Sequence, residues 1–235
     1  MLPVPTASVS CLTRRSTPTP PALPSAPSQL LTSSAPLVAS VPAGPVGFIH
    51  QVAMLFTTLP ESIHELVSLR PIESSDLQDW YDYLSMPVVF EHTSWNVHSP
   101  DELAHHVWTP ESSMPSTALR FAIALRSTNQ LVGTAGFHTV MSQNRSAELA
   151  YDLSPTVWGK GIATSISTLL VDWAHSHVGL VRVQAAVLDS NDRSARVLLK
   201  CGFEREGLLR SYRMVRGRPA NFWMYSHVMP LPGTT

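Results

Sequence analysis

The apolar and polar positions of the chain change period several times, and each change marks an element. Ala147-Glu148-Leu149-Ala150-Tyr151-Asp152-Leu153 alternates with period two, which predicts a strand with Glu148, Ala150 and Asp152 on one face and Leu149, Tyr151 and Leu153 on the other. Further on, Ile162, Ile166, Leu169, Leu170 and Trp173 recur at helical spacing, and Leu180 to Leu188 reads as a strand again. Between the first strand and the helix lies Val157-Trp158-Gly159-Lys160-Gly161-Ile162-Ala163-Thr164. Strand, glycine turn, helix and strand in that order predict a β-α-β unit with a crevice at the turn.

The same patterning extends to either side. Leu66 to Ile72 reads as a first strand closed by Pro71, after which Ser74 or Ser75 caps a helix carrying Leu77, Trp80, Tyr81 and Leu84. A second helix starts with Ser99 as cap, Pro100 at the first helical position, and Asp101 and Glu102 in the first turn. Its His105, His106 and Trp108 either line a pocket or simply pack. Leu119 to Arg126 and Leu131 to Val140 are strands flanking a hairpin-length turn, Ser127 to Gln130. Asn191 to Ser194 opens a last helix, which ends near Cys201-Gly202-Phe203. Gly207 to Arg218 is a basic strand and turn, and Phe222 to Val228 a final strand. Antiparallel strands in the middle and a crossover at the end predict an α/β domain, a mixed central sheet with helices on both faces.

The glycine turn carries the first hint of chemistry. Two glycines leave little side chain between the backbone and whatever approaches, and the turn runs into the positive end of a helix whose first N–H groups lack partners. Such a place suits a phosphate, although the same pattern also serves as a plain connector. Neither a Gly-x-Gly-x-x-Gly fingerprint nor a Gly-Lys-Ser/Thr ending is present, so the turn is not that of a dinucleotide or nucleoside-triphosphate binder. His105 and His106 are adjacent and cannot share one helical face, so no metal site is expected.

Composition divides the chain near residue 60. Eleven of the 20 prolines fall at or before Pro60, no acidic residue precedes Glu61, and Arg14 and Arg15 are the only basic residues there. A segment so rich in Pro, Ser, Thr and Ala buries too little surface to offset its chain entropy, so residues 1–60 are expected to be a disordered extension and residues 61–235 the folded domain. The extension reads either as an organellar transit peptide or as a stretch with no structural job. Val46 to Leu59 is too short to span a bilayer. Cys11 and Cys201 make no disulfide framework and fit a reducing, cytoplasmic setting. A net charge of −1 gives no support to a nucleic-acid binder.

Trp158-Gly-Lys-Gly161-Ile-Ala163 followed by Asn191-x-x-Ser194-x-x-Val197-Leu-x-Lys200-x-Gly202-Phe203 resembles the Gcn5-related N-acetyltransferase (GNAT) superfamily, and most of all its Rim-type branch of N-terminal amine acetyltransferases. The resemblance runs from about Leu66 to Met229. It implies the GNAT acyl-CoA N-acyltransferase fold, acetyl-CoA as cosubstrate, and an amine acceptor that is a peptide amino terminus or a small molecule, on a monomer or homodimer. In that fold the strand ending near Leu153 and the strand from Leu180 diverge, and the pantetheine arm lies in the wedge, pairing with strand backbone. The turn from Trp158 through Gly159, Lys160, Gly161, Ile162, Ala163 and Thr164 would hold the pyrophosphate. Trp158 stands where the family carries Gln or Arg, so backbone amides would do the holding.

The resemblance also places a carboxylate at the start of the central strand, which makes Glu148 the candidate base acting through water. Its alternative is a strand-end carboxylate paired with Arg145 or a helix terminus. Asn191 is expected as a cap and pantetheine partner and Ser194 as a hydroxyl near the thioester, or else as a residue bonding backbone. The tyrosine that commonly protonates the thiolate is replaced by Leu198, which leaves that proton to Ser194 or water and opens a second reading, a non-catalytic acyl-CoA-binding regulatory module. Cys201, with no histidine nearby in sequence, argues against an acetyl-thiol intermediate. The arginines between Arg210 and Arg218 face an acidic peptide, CoA phosphates or solvent, and the acceptor would be chosen by the loops Phe90 to Asn96 and Arg210 to Arg218.

Overall fold

A computed structural model describes residues 59–62, 64–94, 97–107 and 119–229. Apart from Leu59 and Pro60, the extension expected over residues 1–60 lies outside the described residues, as does Trp108. The strands are β1 (Val67–Pro71), β2 (Leu119–Leu125), β3 (Leu131–Met141), β4 (Ser146–Leu153), β5 (Arg182–Leu188), β6 (Glu204–Val215) and β7 (Arg218–Val228). They form one sheet in the order β1-β2-β3-β4-β5-β7-β6. All neighbours are antiparallel except β4 and β5, the pair joined through the crossover.

Three helices of two or more turns cover the sheet: α1 (Asp76–Leu84), α2 (Ile162–Trp173) and α3 (Asp192–Lys200). Alternation along β2 shows why they fall on opposite faces. Phe121 joins the larger core with Ile162, Ile166, Leu170, Trp173 and Leu198 from α2 and α3, whereas Ala122 joins Ile72, Trp80, Tyr83 and Leu84 under α1. The Trp173 ring meets Phe121 edge-on at 6.2 Å and stacks on Phe137 at 6.4 Å. The expected α/β fold, with a mixed sheet and helices on both faces, is the fold observed.

Local details depart from the sequence pattern. The segment Pro100–His106 is a 3-10 helix, in which Ser99 makes no side-chain cap; its carbonyl accepts the Glu102 N–H at 3.3 Å and the Glu102 carboxylate takes the His98 N–H at 3.2 Å. Neither Ser74 nor Ser75 caps α1 with a side-chain bond. Asp76 fastens that corner instead, accepting the Glu73 N–H at 2.8 Å and the Arg70 guanidinium at 2.7 and 2.8 Å. No helix among the described residues is long and apolar enough to cross a membrane.

Two features of the sheet shape what lies above it. β4 and β5 pair only over Ser146 to Glu148 against Arg182 to Gln184, so from Leu149 and Ala185 onward the two strands part. On the other side of β4, the register with β3 slips between Phe137 and Thr139: Phe137 faces Leu149 and Thr139 faces Glu148, with His138 as the extra residue.

Candidate active site

The parting strands open a cavity of about 890 Å³. Its walls include Glu148 to Leu153 of β4, Ala185 to Leu188 of β5, the glycine turn, the first turns of α3, and Val88 to Ser94. Every residue expected at the site lines it except Lys160: Glu148, Leu153, Trp158, Gly159, Gly161, Ile162, Ala163, Thr164, Asn191 and Ser194 are all in the wall. The Lys160 carbonyl is turned to His64, whose Nε2 lies 3.0 Å away.

Gly159 and Gly161 take left-handed φ values of 76° and 78°, and an added Cβ at either would meet nothing within 4 Å. The first helical bond of α2 runs from the Ser165 N–H to the Gly161 carbonyl at 3.0 Å, so the N–H groups of Ile162, Ala163 and Thr164 precede the ladder. Trp158 is half-buried in the wall, and its indole N–H is engaged within the protein, donating to the Leu153 carbonyl at 2.9 Å and tying the strand end to the turn. The Arg193 guanidinium lies 4.8 Å from the Trp158 ring. Arg193, Arg196 and Lys200, spaced along one side of α3, line the same cavity. That i, i+3, i+7 spacing was visible in the sequence and marks a basic face the motif alone did not identify.

Asn191 caps α3, its Oδ1 accepting the Ser194 N–H at 3.0 Å, while its Nδ2 reaches across to the His92 carbonyl at 3.2 Å. Ser194 is thus the third residue of the first turn. Its carbonyl accepts from the Tyr151 hydroxyl at 3.4 Å. Burial raises the Tyr151 phenol well above its ordinary value, with the Ser194 hydrogen bond pulling the other way. Leu198 is fully buried. Cys201 is buried as well, its thiol raised chiefly by desolvation, with Sγ 3.5 Å from the Thr164 carbonyl.

Glu148 is buried at the point of divergence, 6% exposed. Its partner is not Arg145, whose Nε donates to the Gly179 carbonyl at 2.8 Å, but Arg213 of β6, whose guanidinium donates to Oε1 at 2.7 Å. Nε2 of His138 stands 3.9 Å from the same oxygen. Sequence reasoning missed both neighbours: Arg213 arrives from a strand 65 positions on, and His138 shares this face by plain alternation from Gly136 opposite Ala150, a relation visible only once β3 and β4 are paired.

Asp152, two positions along the same face, is the hub of a polar cluster under α1. It accepts from Arg120, from Tyr83, from the Thr134 hydroxyl at 2.9 Å and from the Trp80 indole at 3.2 Å. Burial first, and the Asp152 charge second, hold the Tyr83 phenol protonated. His106 packs 5.3 Å from the Trp80 ring, and burial together with the Arg120 charge lowers it to about 3. It lies outside the lining of the cavity, as does His105. Of the arginines in the β6–β7 hairpin, Arg213 holds Glu148, and Arg216 donates to the carbonyls of Phe90, Glu91 and Thr93 at 2.8 to 3.2 Å.

A family model described as an acetyltransferase (GNAT) domain matches residues 67–204. The uncharacterized N-acetyltransferase YoaA of Bacillus subtilis is 39% identical over 112 residues, 48% of this chain and 63% of its own length. The uncharacterized N-acetyltransferase p20 of Bacillus licheniformis is 31% identical over 164 residues, 69% of this chain and 92% of its own. Among solved structures, RimJ of Mycobacterium smegmatis in complex with CoA-disulfide superposes with a TM-score of 0.57 at 26% identity, covering 69% of this chain and 81% of that one.

Proposed function

The chain belongs to the acetyltransferase (GNAT) domain family, on its Rim-type side, and from that premise we propose that it transfers acetyl from acetyl-CoA directly to a primary amine, a peptide amino terminus or a small molecule. The observation that carries this reading is the wedge. On the edges that face each other, β4 from Leu149 and β5 from Ala185 onward have no strand partner, and the gap ends beside a helix whose first N–H groups precede its ladder. An arm containing amides and ending in a pyrophosphate satisfies both at once.

Acetyl-CoA, once bound, supplies an activated thioester. The residues that would hold it are the turn from Gly159 to Thr164 for the pyrophosphate, the basic face Arg193, Arg196 and Lys200 for further phosphate, and the wedge backbone for the arm. Lys160 contributes backbone here at most, since its side chain is outside the cavity lining. Asn191 keeps the first turn of α3 against the cleft and Ser194 presents the nearest hydroxyl of that turn, in the reading where it stands by the thioester. Glu148 has Oε1 on Arg213 and Oε2 without a protein donor among the described residues, which leaves Oε2 for a water that relays a proton from the amine. The rest of the rate comes from holding the amine at the wedge.

Burial of Leu198, where relatives commonly carry a tyrosine, favours the second reading, an acyl-CoA-binding regulatory module. One experiment separates the two. Free thiol released from acetyl-CoA is followed with a chromogenic disulfide across a panel of peptide amino termini and small amines. Turnover with any acceptor supports transfer; tight acetyl-CoA binding with no turnover across the panel supports the module.

A further inference from the structure

The slip in β3 has no role in the reading above. An unbroken strand sends consecutive side chains to opposite faces, yet Nδ1 of His138 lies 2.7 Å from Oγ1 of Thr139, and both residues stand on the face of Glu148. Carried on from Gly136 opposite Ala150, the regular register would already set His138 on that face; the slip brings Thr139 onto it as well, where its hydroxyl meets the ring.

Three observations give that ring a task. Its Nε2 is 3.9 Å from Glu148 Oε1, past hydrogen-bond reach and close enough for each to feel the other's charge. Glu148 Oε1 is already taken by Arg213 at 2.7 Å, so that oxygen is engaged before any amine arrives. With its proton on Nδ1 toward Thr139, the ring offers the cavity an Nε2 lone pair. The groups facing it are Thr139 of β3, Glu148 of β4, Arg120 of β2 and Arg213 of β6. Burial, foremost, and the two arginines keep the ring neutral; Glu148 opposes them.

We propose that His138, held beside Thr139 at the bulge, takes the proton from the acceptor amine in place of a water on Glu148, and that Glu148 is the counter-charge of the imidazolium so formed. The inference rests on the acetyl-transfer reading. An amine that enters as an ammonium gives one N–H proton to Nε2 of His138, which passes it to solvent. The freed nitrogen lone pair then forms the C–N bond to the acyl carbon as the C–S bond breaks, and a second N–H proton ends on the departing thiolate. The products are an amide, a thiol and one proton.

The test pairs a ring titration with kinetics. NMR of the His138 ring, assigned by its loss in His138→Gln, gives its titration in the parent and in Glu148→Gln. The pH profile of kcat/KM is recorded with an alanine-initiated tetrapeptide and with spermidine as probes. Expected is an acid limb that coincides with the ring titration, with both moving to lower pH in Glu148→Gln, which loses the facing carboxylate that raises the ring. His138→Gln should keep the parent's acetyl-CoA thermal shift, lose that limb, and lose about a hundredfold in kcat/KM. His138→Gly should regain activity with added imidazole, which a residue that only positions others would not show. A His138→Gln variant with the parent's kcat/KM or the parent's acid limb overturns the proposal alone. A parent that binds acetyl-CoA and acetylates no amine overturns the acetyl-transfer reading and this proposal with it.

Discussion

Replacing Gly161 by aspartate separates the anion site from the fold. The residue caps α2 in the left-handed region, and a Cβ there meets nothing within 4 Å, so the added group has room. Its cost is confined to backbone, about 1–2 kcal/mol for an ordinary residue and less for aspartate, which visits that region more readily. A negative charge at the helix start returns about 0.3–1 kcal/mol. The free variant should therefore melt within a few degrees of the parent. Ligand stabilisation behaves differently. Acetyl-CoA at a hundred times its Kd adds about 2.7 kcal/mol, or on the order of 5–10 °C in Tm for a domain of this size. In the variant a carboxylate stands before the N–H groups that would face the pyrophosphate. Like charges about 4 Å apart repel by roughly 1–4 kcal/mol between bulk-water and surface screening. A hundredfold loss of affinity, in the middle of that range, leaves the same ligand concentration near Kd and its stabilisation near ~0.4 kcal/mol. Gly161→Ala is the control, with the backbone strain and no charge, and should keep the parent's shift. Melting curves with and without acetyl-CoA, backed by titration calorimetry, read the result directly. Equal shifts for the aspartate variant and the parent would remove the phosphate site from this turn.

Glu148→Gln should lower turnover by about 10² with acetyl-CoA affinity unchanged, and the loss should narrow at high pH, where the amine arrives neutral; a full-rate variant with an authentic acceptor would remove Glu148 from proton transfer. Asp152→Ala removes the buried carboxylate that Arg120, Tyr83 and Trp80 share and should cost about 3–5 kcal/mol in urea unfolding; a loss below ~1 kcal/mol would show that packing alone holds α1. His106 is lowered to about 3 from an ordinary 6.5, so in that window the unfolded chain binds the extra proton: stability from this group is intact above about 6.5 and falls as pH drops toward 3. His106→Gln should flatten that slope, and an unchanged slope would assign the acid sensitivity to other groups. Deleting residues 1–53, whose composition lacks the apolar pattern of a packed element, should leave Tm and acetyl-CoA affinity as they are; a Tm lower by more than a few degrees would show that the segment docks.

The sequence discloses what local period and spacing encode. The glycine turn, the alternation of β4 and the Asn191 cap each arise within a dozen residues, so a switch of period or a single capping side chain suffices to place them. What joins distant segments is not written locally. Glu148 and Arg213 meet because β6 folds back along β7, itself paired with β5, and an irregular register between Leu209 and Arg213 is part of that path. The bulge illustrates the sharper limit: His138 falls on the face that alternation gives it, but the one-residue slip against β4 sets Thr139 on that face beside it, without any mark in the apolar pattern. Asp152 was placed on the correct face, but its value depends on donors from β2, β3 and α1 that only the assembled sheet brings together. Ser75 and Ser99 hold the N-cap positions that the pattern gives them, yet neither makes a side-chain cap bond; the nearby carboxylates Asp76 and Glu102 fasten the preceding backbone instead, at the Glu73 and His98 N–H groups.

The brief parallel seam between β4 and β5 also bears on how the domain assembles and yields. On either side of it the ladders join segments contiguous in the chain, β1 to β4 on one side and β5 to β7 on the other, so each half can form from its own stretch of sequence. Among the described residues, the strand ladder between the halves is three residue pairs long, Ser146 to Glu148 against Arg182 to Gln184, extended by the Arg145 carbonyl, which accepts from Val181 and Arg182, and this seam must close the loop that contains α2. The seam is thus the late, weak line of the sheet. Amides bordering it should exchange with solvent sooner than those within either half, and slow down most when a ligand fills the gap and acts as the missing strand.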